Sequence, residues 1–198
     1  HPSAASDVYK RQAFPLLTSV RRTSYVTSSC NGSSEPTNKM NVQVDVQYAC
    51  DDDTAPEIAT VEFWIASAIE ASGYKSDAEV SVRIVDSDEI RALNREYRGK
   101  DRPTNVLSFP AGEVAGLPAE VPVLLGDIVI CASVVRAEAA SQGKAAPDHW
   151  AHMLVHGTLH LLGYDHDANA DAVEMEALEA RILALQGLSD PYRAAGET

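Results

Sequence analysis

Three histidines, His156, His160 and His166, stand close together in this chain of 198 residues. On a helix, residues four apart share a face with Cβ atoms about 5–6 Å apart, so the imidazoles of His156 and His160 can grip one ion. Gly163 suits the left-handed residue that ends such a helix, and a turn through Tyr164 and Asp165 can return His166 to the same point. Three nitrogen donors without a fourth protein ligand is the pattern of a catalytic zinc, whose remaining position holds water. The metal lowers the pKa of that water to about 7 and makes hydroxide available at neutral pH. His152, one turn earlier on the same face, would close the site as a fourth ligand. It is read instead as packing, or as a hydrogen-bond partner of the ligands.

The spacing H-x3-H-x2-G-x2-H resembles the metzincin protease pattern with one change: Gly157 stands where those enzymes carry the glutamate that acts as general base. The metal-binding part of the pattern is kept and the peptidase base is not. A zinc peptidase or amidohydrolase would need a carboxylate from elsewhere in the chain, and Asp165 is the nearest in sequence.

A wider resemblance rests on three blocks: His152 to His166 (HMLVHGTLHLLGYDH), Leu93 to Pro110 (LNREYRGKDRPTNVLSFP) and Gly126 to Ile130 (GDIVI). Together they resemble the bacterial YbeY family of endoribonucleases, over Met40 to about Gly187. The resemblance implies a single-strand-specific, metal-dependent endoribonuclease that matures the 3′ end of 16S rRNA and takes part in ribosome quality control in the cytoplasm. It carries the metal ligands onto His156, His160 and His166, with one Zn2+ per chain, and a functionally important arginine onto Arg98. The catalytic residues are therefore expected to be Arg98 and His156. Asn105 stands at a position where the family often has Asp. The implied partners are single-stranded RNA such as the 16S rRNA precursor, the small ribosomal subunit, the Era GTPase and a PhoH-like ATPase. A non-catalytic ribosome assembly factor with a structural zinc is the further alternative.

Composition bounds these readings. With 45% hydrophobic residues the chain can form one ordinary domain with a core of its own. The longest apolar stretch, Val121 to Val135, is interrupted by Pro122, Gly126 and Asp127 and falls short of the ~20 residues a membrane helix needs. Cys30, Cys50 and Cys131 are odd in number and lack C-x-x-C spacing, which fits free thiols in a reducing compartment. The net charge of −13 argues against indiscriminate nucleic-acid binding. From Met40 onward, 11 Lys and Arg face 27 Asp and Glu, yet Arg91 to Arg102 carries five basic residues against two acidic ones. On an acidic body such a local patch is where RNA could approach; the plainer reading is that Arg95, Arg98 and Lys100 complement the negative end of a helix.

The elements that must position these residues follow from periodicity. Residues 1–39 are rich in Ser and Thr, lack an amphipathic period, and are expected to be a disordered or artefactual extension. Asp7 to Gln12 looks like a translated adaptor sequence, which points to a true start at Met40. The alternative is an export or transit signal built on Lys10, Arg11 and the apolar run Ala13 to Leu17, broken by Pro15. The domain is expected over 40–187 and a flexible tail over 188–198. Val42, Val44, Val46 and Tyr48 alternate as a half-buried strand, and Pro56 opens a helix that ends at Gly73. Ala78–Val85 is a second strand, and Asp86 with Glu89 offers a capping box for a helix over 89–97. Asn105–Phe109 is a short strand, 110–122 an excursion loop in which Glu113 and Glu120 are solvated, and Val123–Cys131 a strand buried on both faces. Asp127 within it is read as structural, and Phe63 and Trp64 as packing residues. Helices over 133–141, from Pro147 through the histidines, and over 172–185 complete the order. Strands early and helices late predict an α+β fold, with a small mixed four-stranded sheet, about five helices and, by the resemblance, a zincin-like arrangement.

Overall fold

The computed structural model describes residues 23–25, 40–112, 121–166 and 169–192. The alternating strand β2 (Val42–Tyr48) turns Val42, Val44 and Val46 into the core. It runs parallel to β3 (Ala78–Val85), β3 runs parallel to β5 (Val123–Cys131), and β4 (Val106–Pro110) closes the far edge antiparallel to β5. These four strands form the expected mixed sheet. A further strand, β1 (Thr23–Tyr25), pairs antiparallel with β2 on the opposite edge, so the segment set aside as an extension contributes three residues to a sheet ordered β1-β2-β3-β5-β4.

The five expected helices are α1 (Ile58–Ala71), α2 (Ser87–Arg98), α3 (Ala132–Ser141), α4 (Ala146–Leu161) and α5 (Asn169–Ala184). They give an α+β fold. α2 covers one face of the sheet, where Ile90 and Leu93 meet Val85, Leu107, Phe109 and Val129. On the other face Ile128 and Ile130 join the main core with α1, α4 and α5. β5 is therefore buried on both sides, as the isoleucines flanking Val129 predict. Trp64 is buried in the main core, while Phe63 is exposed and rests edge-on against it.

α4 is the axis of the helical layer. Trp150, Ala151, Leu154, Val155, Thr158 and Leu159 are all buried, because the helix touches α1, α3, α5, β4 and β5 at once. Apolar character around most of its circumference is what such a position requires. The buried Thr158 hydroxyl is satisfied within the helix, donating to the Leu154 carbonyl at 2.7 Å. Gly157 faces the sheet at the closest approach. A Cβ there would lie 2.9 Å from Ile128 Cγ2 and 3.3 Å from Ser108 Oγ and Val106 Cγ2.

Local signals and tertiary contacts part company at α2. Asp86 caps it as expected, accepting from the backbone N–H groups of Asp88 and Glu89. The reciprocal half of the capping box is lost, because the Glu89 carboxylate instead takes both arms of the Arg83 guanidinium, at 2.7 and 3.2 Å. A bidentate ionic pair is the stronger partner. The expected loop residues Glu113 and Glu120 lie outside the described residues. Among those described, no helix is long and apolar enough to cross a membrane, and Cys50 and Cys131 are free thiols.

Candidate metal centre

The end of α4 builds the site. The helix stops in a Schellman arrangement: Gly163 N–H donates to the His160 carbonyl and Tyr164 N–H to the Leu159 carbonyl. Gly163 adopts φ +92°, the left-handed conformation this ending needs. The turned-back Tyr164 carbonyl then accepts from Nδ1 of His160 at 3.0 Å. Asp165 accepts from the backbone N–H of His166 at 2.7 Å, which sets the loop that carries the third imidazole.

The structure brings all three histidines together, with ligand atoms within 4.8 Å of one another. His156 and His160 are half-buried and His166 is exposed. Nε2 of His156 and Nε2 of His160 face each other at 3.1 Å. Each of those rings has its Nδ1 against a group that can only accept: the Glu179 carboxylate at 2.7 Å from His156 and the Tyr164 carbonyl from His160. Both Nδ1 atoms therefore carry the proton, and in neutral rings both Nε2 atoms present lone pairs. Burial, reinforced by the neighbouring His156 and His166, pushes the pKa of His160 down to about 4, so this ring is neutral at neutral pH. Two opposed lone pairs repel unless a cation lies between them. Ligand nitrogens on a tetrahedral zinc at 2.0–2.1 Å are about 3.3 Å apart, so the donor set fits the ion in type and spacing.

The histidines line an open cavity of about 270 Å³, whose wall is β4 with Asn105 to Pro110 and whose rim includes Arg98 and Asp165. The site residues expected from sequence, Arg98, His156, His160 and His166, thus share one pocket. The other four members of the basic cluster, Arg91, Arg95, Lys100 and Arg102, do not line it. Arg91 forms a bidentate pair with Asp101 at 2.9 and 3.1 Å, and Arg95 lies 3.9 Å from the same carboxylate. Ser108, within the pocket, donates its hydroxyl proton to the Gly157 carbonyl at 3.0 Å.

Asn105 finds its reason in a network behind the pocket. Its Oδ1 accepts from Val106 N–H at 2.8 Å, and its amide donates to both oxygens of Glu138 at 3.1 and 3.3 Å. Glu138 also accepts from Nε2 of the buried His149 at 2.8 Å. An aspartate at 105 would face Glu138 as a like charge, so in this chain the amide is the matching group.

The sequence reading did not single out Glu179. It lies fully buried on α5, and its carboxylate accepts from His156 Nδ1 at 2.7 Å, from His152 Nε2 at 3.2 Å and from the Tyr192 hydroxyl. Burial alone would raise its pKa, but the hydrogen bonds from His152, His156 and Tyr192 outweigh it and hold the carboxyl at about 2. His152 is thereby occupied as a hydrogen-bond partner of Glu179 rather than joining His156, His160 and His166. Tyr192 lies in the segment expected to be a flexible tail. A readable signal did exist: Met175, Leu178 and Ile182 mark the buried stripe of α5, and Glu179 sits on that stripe at i+4 from Met175.

Comparison with known proteins gives a consistent assignment. The family model described as Endoribonuclease YbeY matches residues 44–187. The protein called Endoribonuclease YbeY in Halorhodospira halophila is 60% identical over 140 residues, covering 71% of this chain and 90% of that protein. Its counterpart in Alkalilimnicola ehrlichii is 54% identical, covering 70% and 82%, and that of Psychromonas ingrahamii 49% identical, covering 77% and 97%.

Proposed function

This chain belongs to the YbeY endoribonuclease family, and from that premise we propose that it is a single-strand-specific metallo-endoribonuclease that hydrolyses RNA phosphodiesters. The observation that carries the metal-dependent part is the pair of opposed Nε2 lone pairs at 3.1 Å, with His166 beside them. His156, His160 and His166 would hold a zinc ion, which would make hydroxide available at neutral pH and act as a Lewis acid towards a phosphoryl oxygen. The protein's own groups do the rest. Arg98, on the same pocket, presents a planar fork of donors to the non-bridging oxygens of a phosphodiester and neutralises the charge that gathers there. β4, the edge strand that walls the pocket, gives the surface along which a splayed strand can lie. The acidic body repels RNA elsewhere and favours entry at this rim.

A peptidase reading has less support. Gly157 faces Ile128 and Val106 rather than open space, the carboxylate nearest in sequence, Asp165, is already an acceptor for the loop that carries His166, and the Glu179 carboxylate is taken up by His156, His152 and Tyr192. The proposed setting is cytoplasmic maturation of the 16S rRNA 3′ end and ribosome quality control. The small ribosomal subunit, the Era GTPase and a PhoH-like ATPase are the proposed partners.

The test is cleavage of a labelled single-stranded RNA by the zinc-loaded protein, beside a duplex of the same sequence, a chelated sample and His156→Ala. Cleavage of the single strand alone, lost in both controls, supports the proposal. Intact RNA with zinc demonstrably bound refutes direct hydrolysis and redirects the search to ribosomal subunits or amide substrates.

A further inference from the structure

The reading of a metal centre leaves one feature without a purpose: a buried carboxylate on α5 that collects three hydrogen bonds. α5 does not need it to pack, since Met175, Leu178, Ile182 and Leu183 already fix the helix on the core. A buried charge is retained at a desolvation penalty unless its partners gain from it. The partner with most to gain is His156. An imidazole can rotate by half a turn and present either nitrogen. With Nδ1–H held by Glu179 Oε1 at 2.7 Å, Nε2 is the atom left pointing at His160.

Glu179 is itself held. Its Oε2 accepts from His152 and from the Tyr192 hydroxyl. The segment that brings Tyr192 there is tied down at several points. Leu188 N–H donates to the Leu183 carbonyl at 3.1 Å, Lys144 Nζ donates to the Pro191 carbonyl at 2.7 Å, and Tyr192 N–H donates to Asp190 at 3.0 Å. We propose that Glu179 is a positioning residue of the metal centre, orienting His156 as a ligand, and that Leu188–Tyr192 is a clasp that orients Glu179 through the tyrosine hydroxyl. The inference rests on the metal reading above.

The same atoms have a competing use. His152, His156 and Glu179 also lie close enough together to hold an ion of their own. An ion there would have to displace the Nδ1 proton of His156 and the proton His152 donates, whereas the Glu179 carboxylate already accepts both protons and that of Tyr192 as it stands. Carboxylate–histidine–metal relays of this kind typically contribute about 10–100-fold in metal affinity.

The experiment is a zinc dissociation constant by chelator competition on the whole chain, for the parent, Glu179→Gln and Tyr192→Phe. It is paired with imidazole 15N spectra of the metal-free proteins, which report the tautomer of His156. Glu179→Gln should bind zinc about 10–100-fold more weakly and show a mixed His156 tautomer, and Tyr192→Phe should shift both in the same direction by less. Because the Tyr192 side chain is half-exposed, its variant keeps the test open if Glu179→Gln does not fold. A parent that binds zinc, with both variants within about twofold of it and an unchanged tautomer, overturns this inference and spares the metal centre. A parent that does not bind zinc overturns both.

Discussion

Two depressions of one sheet differ in almost everything except their access to solvent. In open sheets with parallel strands, ligands usually bind outside the carboxyl ends of those strands. In this chain that position, beyond β2, β3 and β5, is a crevice lined by Asp51, Asp52, Asp86, Ser87, Asp88, Ser133 and Arg136, onto which α2 and α3 open their N-termini. Most of its polar groups answer one another. Asp52 accepts from Thr54 N–H at 2.9 Å and from Arg136 at 2.6 Å, Asp86 caps α2, and Ser87 Oγ meets Ser133 Oγ at 2.7 Å. The histidine pocket lies instead along the antiparallel edge strand β4, and there two lone pairs are aimed at each other. Topology points to the first depression and hydrogen-bond accounting to the second. The lesson is that a site declares itself by polar groups whose partners are external.

The largest effect that could break this contrast is loss of a ligand. His160→Ala or His166→Ala should abolish RNA cleavage, and since His166 is exposed, its variant should leave the stability of the metal-free protein within about 0.5 kcal/mol of the parent in urea unfolding. Retained cleavage would move the chemistry elsewhere. Next come two arginines, one at each depression. Arg98→Ala should lower kcat by about 10²–10³-fold. Arg136→Ala should leave turnover within about twofold, because its half-exposed pair with Asp52 contributes only about 0.2–1 kcal/mol to folding.

Acid should separate the two regions as well. The folded pKa of His160, about 4, lies below its ordinary 6.5, so its contribution to stability is complete above pH 6.5 and is lost as pH falls towards 4. Asp52 is also lowered: burial would raise it, but the Thr54 hydrogen bonds and Arg136 prevail. Its contribution is complete above its ordinary 3.8 and is lost only below that. Urea unfolding of the metal-free protein should therefore show a loss on the order of 1–3 kcal/mol between pH 6.5 and 4, reduced in His160→Ala to the part that comes from His149, whose pKa burial also lowers, and unaltered in Asp52→Asn. The smallest expected effect is Gly157→Ala. Crowding against Ile128, typically ~1–3 kcal/mol, is partly offset by ~1 kcal/mol of helix propensity, for a net destabilisation of about 1 kcal/mol in the same assay.

How much of this was legible in the sequence depended on distance along the chain. The three histidines lie within two turns of helix and one tight turn, so spacing alone brought them together. Strand alternation likewise found β2 and β3, and the isoleucines around Val129 announced a doubly covered β5. What local pattern could not supply was the long-range partner. Glu89 abandons a capping box for Arg83 on the preceding strand. Arg91 and Arg95 turn to Asp101, so the basic cluster is less available than its count suggests. Glu179 stands 23 residues beyond His156 among several glutamates of α5, and only its place on the apolar stripe distinguishes it. Tyr192 carries no such mark.

The tight seating of Gly157 on β4 and β5 also bears on how such a scaffold could diverge. A glutamate at that position would give the histidine array the general base of a peptidase. Yet its Cβ would first have to displace Ile128, Val106 and Ser108. The side chains on the supporting strands must therefore shift to admit the reactive side chain. Any evolutionary passage between the two chemistries would cross intermediates that pack poorly and have gained nothing in return.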